Sequence, residues 1–175
     1  MTVRYYTRKG IHVDRVASAW LLRRFVDPAA TFVFVGEGET VPGAVPFDIS
    51  GAELGHHRGR CTFEAILRKY RVRDPALRRL GAIIRSADLL ASADETLEGP
   101  GFDLIFRGLR QASASDHEIL ERGAVLLDGV YQVLASPRRR RRPTRVRGRQ
   151  KPKGKRVPRV RKAGPREEGA DARGR

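Results

Sequence analysis

The pattern of hydrophobic and polar positions predicts three short strands in the first fifty residues. Residues 3–7 are rich in β-branched and aromatic side chains, which favour a strand. Residues 31–35 form an almost wholly apolar run that ends at Gly36, which is typical of a central strand covered on both faces. Residues 44–49 predict a third strand, and Pro46 places it at an edge, since proline cannot donate to the ladder.

Helical spacing of apolar residues predicts about five helices. The first covers residues 15–26, with Asp14 as its N-cap, because the carboxylate can accept from a free N–H of the first turn. The later helices are centred on residues 63–70, 75–88, 102–109 and 116–134. Two of them have strong start signals: Asp74 caps a helix that begins with Pro75, and Ser115 with Glu118 forms a capping box.

These elements predict an α/β fold with an α+β tendency, in which a small N-terminal sheet of about three strands is covered by the helices. Residues 1–136 form the predicted domain. Residues 137–175 contain mostly Arg, Lys, Pro and Gly, and such a segment buries too little apolar surface to order itself. We therefore predict a disordered basic C-terminal tail.

The charge of the chain belongs almost entirely to this tail. The formal net charge of the 175 residues is +16, but residues 1–136 hold 18 Lys and Arg against 17 Asp and Glu. A polybasic tail binds nucleic acid or acidic surfaces without sequence specificity, or acts merely as a solubilising segment. The candidate nucleic-acid residues are an unbroken arginine run: Arg138, Arg139, Arg140, Arg141 and Arg142.

The stretch 11–25 is the first region that is dense in chemistry. His12 and Arg15 flank the predicted start of the first helix, where free N–H groups and the helix dipole favour an anion. With Arg8 and Lys9 beside them, they predict an oxyanion site. The alternative is an ordinary amphipathic core helix with a capped end and a solvated basic face.

The stretch 48–64 is the second region that is dense in chemistry, and its glycines predict a loop. Zinc accepts His, Cys and carboxylate ligands, but the spacing here matches no closed zinc pattern. The alternative is that these are exposed loop residues, a buried thiol and a turn cap. The residues with ligand chemistry are Asp48, Glu53, His56, His57, Cys61 and Glu64.

A single cysteine excludes an intramolecular disulfide and favours a reducing compartment. No apolar run at the start predicts a signal peptide, and no segment approaches the roughly 20 apolar residues of a membrane span. We therefore expect a soluble cytoplasmic protein with no membrane partner. The oligomeric state is left open, a homodimer included.

Several motifs in order resemble the chromate-resistance domain, the C-terminal part of the chromate-responsive regulator of bacterial chromate operons. The resemblance covers about residues 3–135 and rests on residues 7–8, 12–15, 17, 20–21, 23–25, 27, 45–48, 51–53, 56, 61–64, 84–89 and 116–117. Regulators of the family often carry a separate N-terminal region, and we expect this chain to lack it, because its sequence begins directly at the shared domain. If that region supplies operator binding, this protein need not be a repressor. The family position of Arg85 is usually histidine.

The resemblance implies a chromate-responsive or metal-responsive sensor or accessory domain. In this hypothesis Arg8 and Arg15 steer the oxyanion, and a divalent metal such as zinc binds a polar site under the sheet. The proposed metal set is His12, Asp14, Glu53, His56 and Cys61.

Two alternatives come from other classes. One is a nucleic-acid-associated regulator that acts through the tail. The other is a metal-dependent enzyme with Glu53 or Glu64 as a base. The sequence has no dinucleotide fingerprint, P-loop or nucleophile elbow, and one cysteine is a poor electron source. Enzymatic chromate reduction is therefore not favoured, and no organic cofactor is indicated.

Overall fold

The sheet has three parallel strands in the order β2-β1-β3. Strand β1 (Arg4–Arg8) pairs with β2 (Thr31–Val35) on one side and with β3 (Val45–Pro46) on the other. The computed structural model describes residues 2–57, 59–89 and 95–136, so the predicted tail and its boundary lie outside the described residues.

Strand β1 is the central strand, and the prediction that residues 31–35 occupy that position is wrong. Tyr5, Tyr6 and Thr7 are all buried, whereas Thr31 of β2 is exposed. The apolar run of β2 arises because this edge strand still packs Phe32 against Tyr5, with ring centroids 5.9 Å apart. The edge position predicted from Pro46 is confirmed, although β3 is only two residues long.

The described residues form five α-helices beside the sheet, and the α/β fold class is confirmed. They are α1 (Val13–Leu21), α2 (Thr62–Lys69), α3 (Pro75–Asp88), α4 (Gly99–Gln111) and α5 (Asp116–Ala135). A π-helical turn, Leu22–Val26, extends α1 to the end predicted from sequence. Helix α4 begins inside the predicted loop, because Gly99 and Pro100 form its first turn.

Helix α1 is the buried centre of the domain and packs against α2, α3 and α5. Trp20 stacks on Phe63 of α2, and its Nε1–H donates to Asp128 of α5 at 3.0 Å. The indole ring therefore stacks on α2 and satisfies its one polar group with a side chain of α5.

The helix start signals at Asp74 and Ser115 are confirmed. Asp74 accepts from the backbone N–H groups of Ala76 and Leu77, and the Ser115 hydroxyl accepts from that of Glu118. The cap predicted for α1 is wrong. His12 is the N-cap residue, without a side-chain bond, and Asp14 lies inside the first turn.

The order of the strands creates a site at their carboxyl ends. From β1 the chain runs through α1 to β2, which pairs with one edge of β1, whereas β3 pairs with the other edge. The carboxyl end of β1 is therefore a topological switch point. Crevices outside the carboxyl ends of strands at such points are the usual ligand sites of open α/β sheets. Arg8 ends β1 and Asp48 follows β3 by two residues, which brings both to this crevice.

Candidate functional site

Asp14 is a buried carboxylate that caps a neighbouring helix instead of its own. Its oxygens accept from the backbone N–H groups of Thr62 at 2.7 Å and Phe63 at 2.9 Å, the first two residues of α2. The Ser18 hydroxyl donates to it at 3.3 Å. The side chain is 1% exposed, and the positive end of α2 helps to hold its negative charge there.

Asp48 lies beside Asp14 in a strained backbone conformation, with φ of 50°. Its backbone N–H donates to the carbonyl of Leu54, and its carboxylate accepts from the Thr62 hydroxyl at 2.8 Å. The Arg15 guanidinium lies 2.6 Å from the same carboxylate. These contacts fix Asp48 in the crevice and account for the left-handed backbone, which aspartate tolerates better than most residues.

His56 places one imidazole nitrogen among three carboxylates. Its Nε2 lies 3.0 Å from Asp14, 3.0 Å from Asp48 and 3.5 Å from Asp88, the last residue of α3. Hydrogen bonds to Asp14 and Asp48 raise the pKa of His56 to about 10, against the opposing effect of its partial burial. The imidazole is therefore protonated at neutral pH and shares that proton with acidic neighbours.

The two buried carboxyl groups respond to this arrangement in opposite directions. Burial raises the pKa of Asp14, and the nearby charges of Asp48 and Asp88 raise it further, while the hydrogen bond from His56 opposes both. Burial also acts to raise the pKa of Asp48, but the His56 hydrogen bond and the Arg15 charge together lower it. Asp48 is thus the carboxylate that Arg15 keeps ionised.

Asp88 connects this cluster to His12. One of its oxygens faces His56, and the other lies 3.9 Å from Nδ1 of His12, whose Nε2 lies 3.4 Å from Asp103 of α4. The two imidazoles therefore lie on either side of one carboxylate. Asp14, His56 and Asp88 have ligand atoms within 4.8 Å of one another, which is close enough to hold one metal ion.

These side chains lie in an open pocket of about 390 Å³. Charged groups of both signs line it, with arginines on the β1 and α1 side. The loop after β3 supplies the opposite wall. The lining residues that carry charge or an imidazole are Arg8, His12, Arg15, Asp48, His56 and Asp88.

The structure brings together some of the residues proposed from sequence and separates others. His12 and His56 share the pocket, with Asp14 beneath it. Glu53 points elsewhere, because its carboxylate pairs with Lys69 at 2.5 Å and is mostly exposed. Cys61 also lies outside the pocket lining, and its Sγ faces Glu64 and the carbonyl of Gly81.

Cys61 is a core residue and a helix cap. It is the N-cap of α2 and fully buried, and this burial raises the pKa of its thiol well above the usual range. Glu64, offered from sequence as a catalytic base, is paired with Arg85 at 2.6 Å and accepts from the Cys61 backbone N–H. The glutamates of the enzyme alternative are thus engaged in contacts outside the pocket.

The predicted oxyanion residues divide between two neighbouring pockets. Arg8 and Arg15 line both of them, whereas Lys9 lines a shallower pocket of about 410 Å³ that also contains Arg110. The loop N–H groups of Gly10 and Ile11, just before α1, donate to the carboxylate of Asp116. A carboxylate of the protein itself therefore occupies the anion position of that loop.

Two acidic residues of the site are not in the metal set proposed from sequence. From sequence, Asp48 has ligand chemistry but is equally explained as a turn cap, and Asp88 is simply the end of a predicted helix. The one sequence signal that points to Asp88 as a site residue is its position, because it is a polar residue directly after the apolar stripe of α3 and at the end of that helix. Its partners come from segments more than 30 residues away, which spacing does not reveal.

The fold and the pocket define a small α/β domain with a polar, carboxylate-rich crevice at the carboxyl ends of its strands. The chain belongs to the family described as ChrB, C-terminal domain, whose model matches residues 5–134. It is also similar to Protein ChrB of Cupriavidus metallidurans (strain CH34), with 37% identity over 136 residues. That match covers 77% of this chain and 41% of the relative, so the chain spans about two fifths of the relative's length.

The family membership confirms the resemblance found in the sequence and supports the association with chromate resistance that it implied. None of the solved structures compared matches the chain. Within the described ranges, no helix is both long enough and apolar enough to cross a membrane.

Proposed function

We propose that this domain is the ligand-responsive part of a chromate-resistance protein and that it acts by binding a divalent metal ion. The proposed ligands are Asp14, His56 and Asp88, with Asp48 beside them. One observation carries the proposal: three carboxylates surround a single imidazole nitrogen at distances of 3.0, 3.0 and 3.5 Å.

The spacing of these atoms suits a coordination shell. Two ligand atoms that each lie about 2.1 Å from zinc are about 3.0 to 3.4 Å apart at angles between a right angle and the tetrahedral value. The separations of the three carboxylates from Nε2 of His56 fall in or close to this range. A cation in this position would replace the shared proton and neutralise carboxylates that repel one another.

The site is also prepared to respond to a ligand. Asp14 belongs to α1 and caps α2, Asp88 ends α3, and His56 lies in the loop before α2. A metal ion bound by all three would tie together helices that otherwise meet through the core. Binding at the pocket would thereby restrain the end of α3 and the loop after β3, and this restraint is the signal that we propose the domain transmits.

Isothermal titration of the full chain with Zn²⁺ and with Mn²⁺ tests the proposal. We expect binding of about one ion per chain, lost in His56→Ala and retained in His57→Ala. His57 is the matched control, because its Nε2 contacts the backbone carbonyls of Ala52 and Glu53 instead of the pocket. Equal binding by the two variants, or no binding by the folded wild type, would contradict it.

The pH dependence of binding gives a second readout. A metal ion must displace the proton that His56 holds, since its pKa is raised to about 10. Apparent affinity should therefore rise by roughly tenfold per pH unit between pH 7 and 9. A flat profile over this interval would mean that His56 is not a ligand.

A second candidate function is direct binding of chromate by the arginines at the edge of the pocket. The observation that favours it is Arg8, whose Nε is buried without a hydrogen-bond partner among the described residues. Arg15, Lys9 and Arg110 line the same shallow pocket, where Glu37 is the acidic residue. A tetrahedral dianion suits this mixture of guanidinium and ammonium groups.

The two candidates are separable by titrating chromate, with sulfate as a second tetrahedral dianion, against the metal-free protein. Direct oxyanion binding predicts heat that is lost in Arg8→Gln and kept in Arg122→Gln, an exposed arginine paired with Glu118 on α5. If Arg8→Gln leaves chromate binding unchanged, or if folded protein gives no heat, the oxyanion candidate fails without affecting the metal proposal.

A further inference from the structure

A second concentration of arginines lies on residues that the candidate site does not use. It surrounds a groove of about 690 Å³ at the C-terminal end of α2. Leu67 and Val72 contribute apolar surface to the groove, and Glu64 is the acidic residue in its lining. The arginines, here called the arginine groove, are Arg60, Arg68, Arg71, Arg73 and Arg78.

The positive charge of the arginine groove is not neutralised within the described part of the chain. All five arginines are exposed, and none of them forms an ion pair with another described residue. Glu64 is already engaged by Arg85 at 2.6 Å. The contrast with Arg79 is direct, because that neighbour of Arg78 pairs with Glu98 across to the start of α4.

Arg71 occupies a backbone position where glycine is normally preferred. Helix α2 ends in a Schellman motif, in which the N–H of Val72 donates to the carbonyl of Leu67 at 2.9 Å and that of Arg71 to Arg68 at 3.2 Å. The motif requires a left-handed residue, and Arg71 adopts it with φ of 53°. Arg71 therefore carries a conformational cost that glycine would avoid at this position.

We propose that the arginine groove binds the phosphate backbone of duplex DNA. Its arginines come from three segments, namely the loop before α2, the end of α2 with the turn after it, and the first turn of α3. Exposed guanidinium groups spread along an open groove suit a row of phosphates, whereas a single small anion is bound by converging, buried donors. The contact is sequence-independent, and it involves neither the metal site nor the basic tail.

Fluorescence anisotropy with a labelled 20-base-pair duplex tests this proposal on the full chain. The variant carries Arg68→Gln, Arg71→Gly and Arg78→Gln together, and Arg122→Gln with Arg107→Gln serves as the control at exposed arginines elsewhere. Both are compared in a background where Arg138 to Arg142 are glutamine, which lowers the contribution of the tail equally in the two proteins.

We expect the groove variant to bind the duplex at least tenfold more weakly at about 100 mM salt. The control should lose less affinity per removed arginine than the groove variant. The slope of log affinity against log salt should fall by about 2 to 3, since each lost phosphate contact removes about 0.9. Arg71→Gly alone should weaken binding while the protein melts at an equal or higher temperature, which separates recognition from folding.

Equal DNA affinity of the groove variant and the control would overturn the proposal. A groove variant that keeps DNA binding but loses binding to a polyglutamate peptide would also overturn it, and would point to an acidic protein surface as the partner. Neither result depends on metal binding, so the metal proposal stands or fails separately.

Discussion

Replacing Asp14 by alanine should destabilise the domain far more than removal of an ordinary helix cap. The change leaves two buried backbone N–H groups at the start of α2 without an acceptor, those of Thr62 and Phe63. Each such orphaned donor costs about 1–3 kcal/mol. It also removes a partner of His56, although relief from burying the charge beside Asp48 and Asp88 offsets part of that loss. The expected net cost is about 3–5 kcal/mol.

Urea unfolding in the presence of a chelator measures this cost, followed through the fluorescence of Trp20, which stacks on the first turn of α2. The comparison is Ser115→Ala, which removes the exposed cap of α5 and should cost about 1 kcal/mol. Asp14→Asn keeps an acceptor oxygen and should fall between them, which retains a measurable variant if the alanine protein does not fold. An Asp14→Ala cost no larger than that of Ser115→Ala would refute the capping role.

Three further predictions concern single groups. Because the pKa of His56 rises from 6.5 to about 10 on folding, its stabilising contribution is complete below pH 6.5 and is lost as pH rises through 10. Wild-type stability should fall over that interval, and His56→Ala should lack this component in pH-dependent urea titrations. Arg71→Gly should raise the free energy of unfolding by about 1 kcal/mol, since glycine adopts the left-handed conformation without strain. Cys61 is buried with a raised thiol pKa, so alkylation by a maleimide, followed by mass spectrometry, should require unfolding; rapid labelling of the native protein would contradict its burial.

Most of the fold was predictable because local rules determined it. The caps at Asp74 and Ser115 are properties of adjacent residues, and the alternation of strands and helices follows from apolar periodicity. Strand order was not predictable, because it depends on which buried surfaces meet. The apolar run 31–35 looks central in sequence, yet the strand with the two buried tyrosines holds that position.

The location of the candidate site was easier to predict from the sequence than the residues that form it. His12, Asp14 and His56 come from the two segments singled out in the sequence, and the structure places them together at one pocket. Ligand chemistry alone could not distinguish Cys61 from Asp48, because tertiary packing buries Cys61 in the core and places Asp48 in the lining of the pocket. Asp88 was missed for the same reason, since its proximity to both imidazoles arises from the packing of α3 on α1.

The double use of Asp14 has a consequence for how this domain can change over evolutionary time. A lineage that no longer needs the pocket cannot discard this carboxylate freely, since the same atoms close the first turn of α2. Among the described residues, the side chains of His56 and Asp88 contact other side chains and cap no helix. In relatives that have lost the pocket, we therefore expect substitutions at His56 and Asp88, with Asp14 retained.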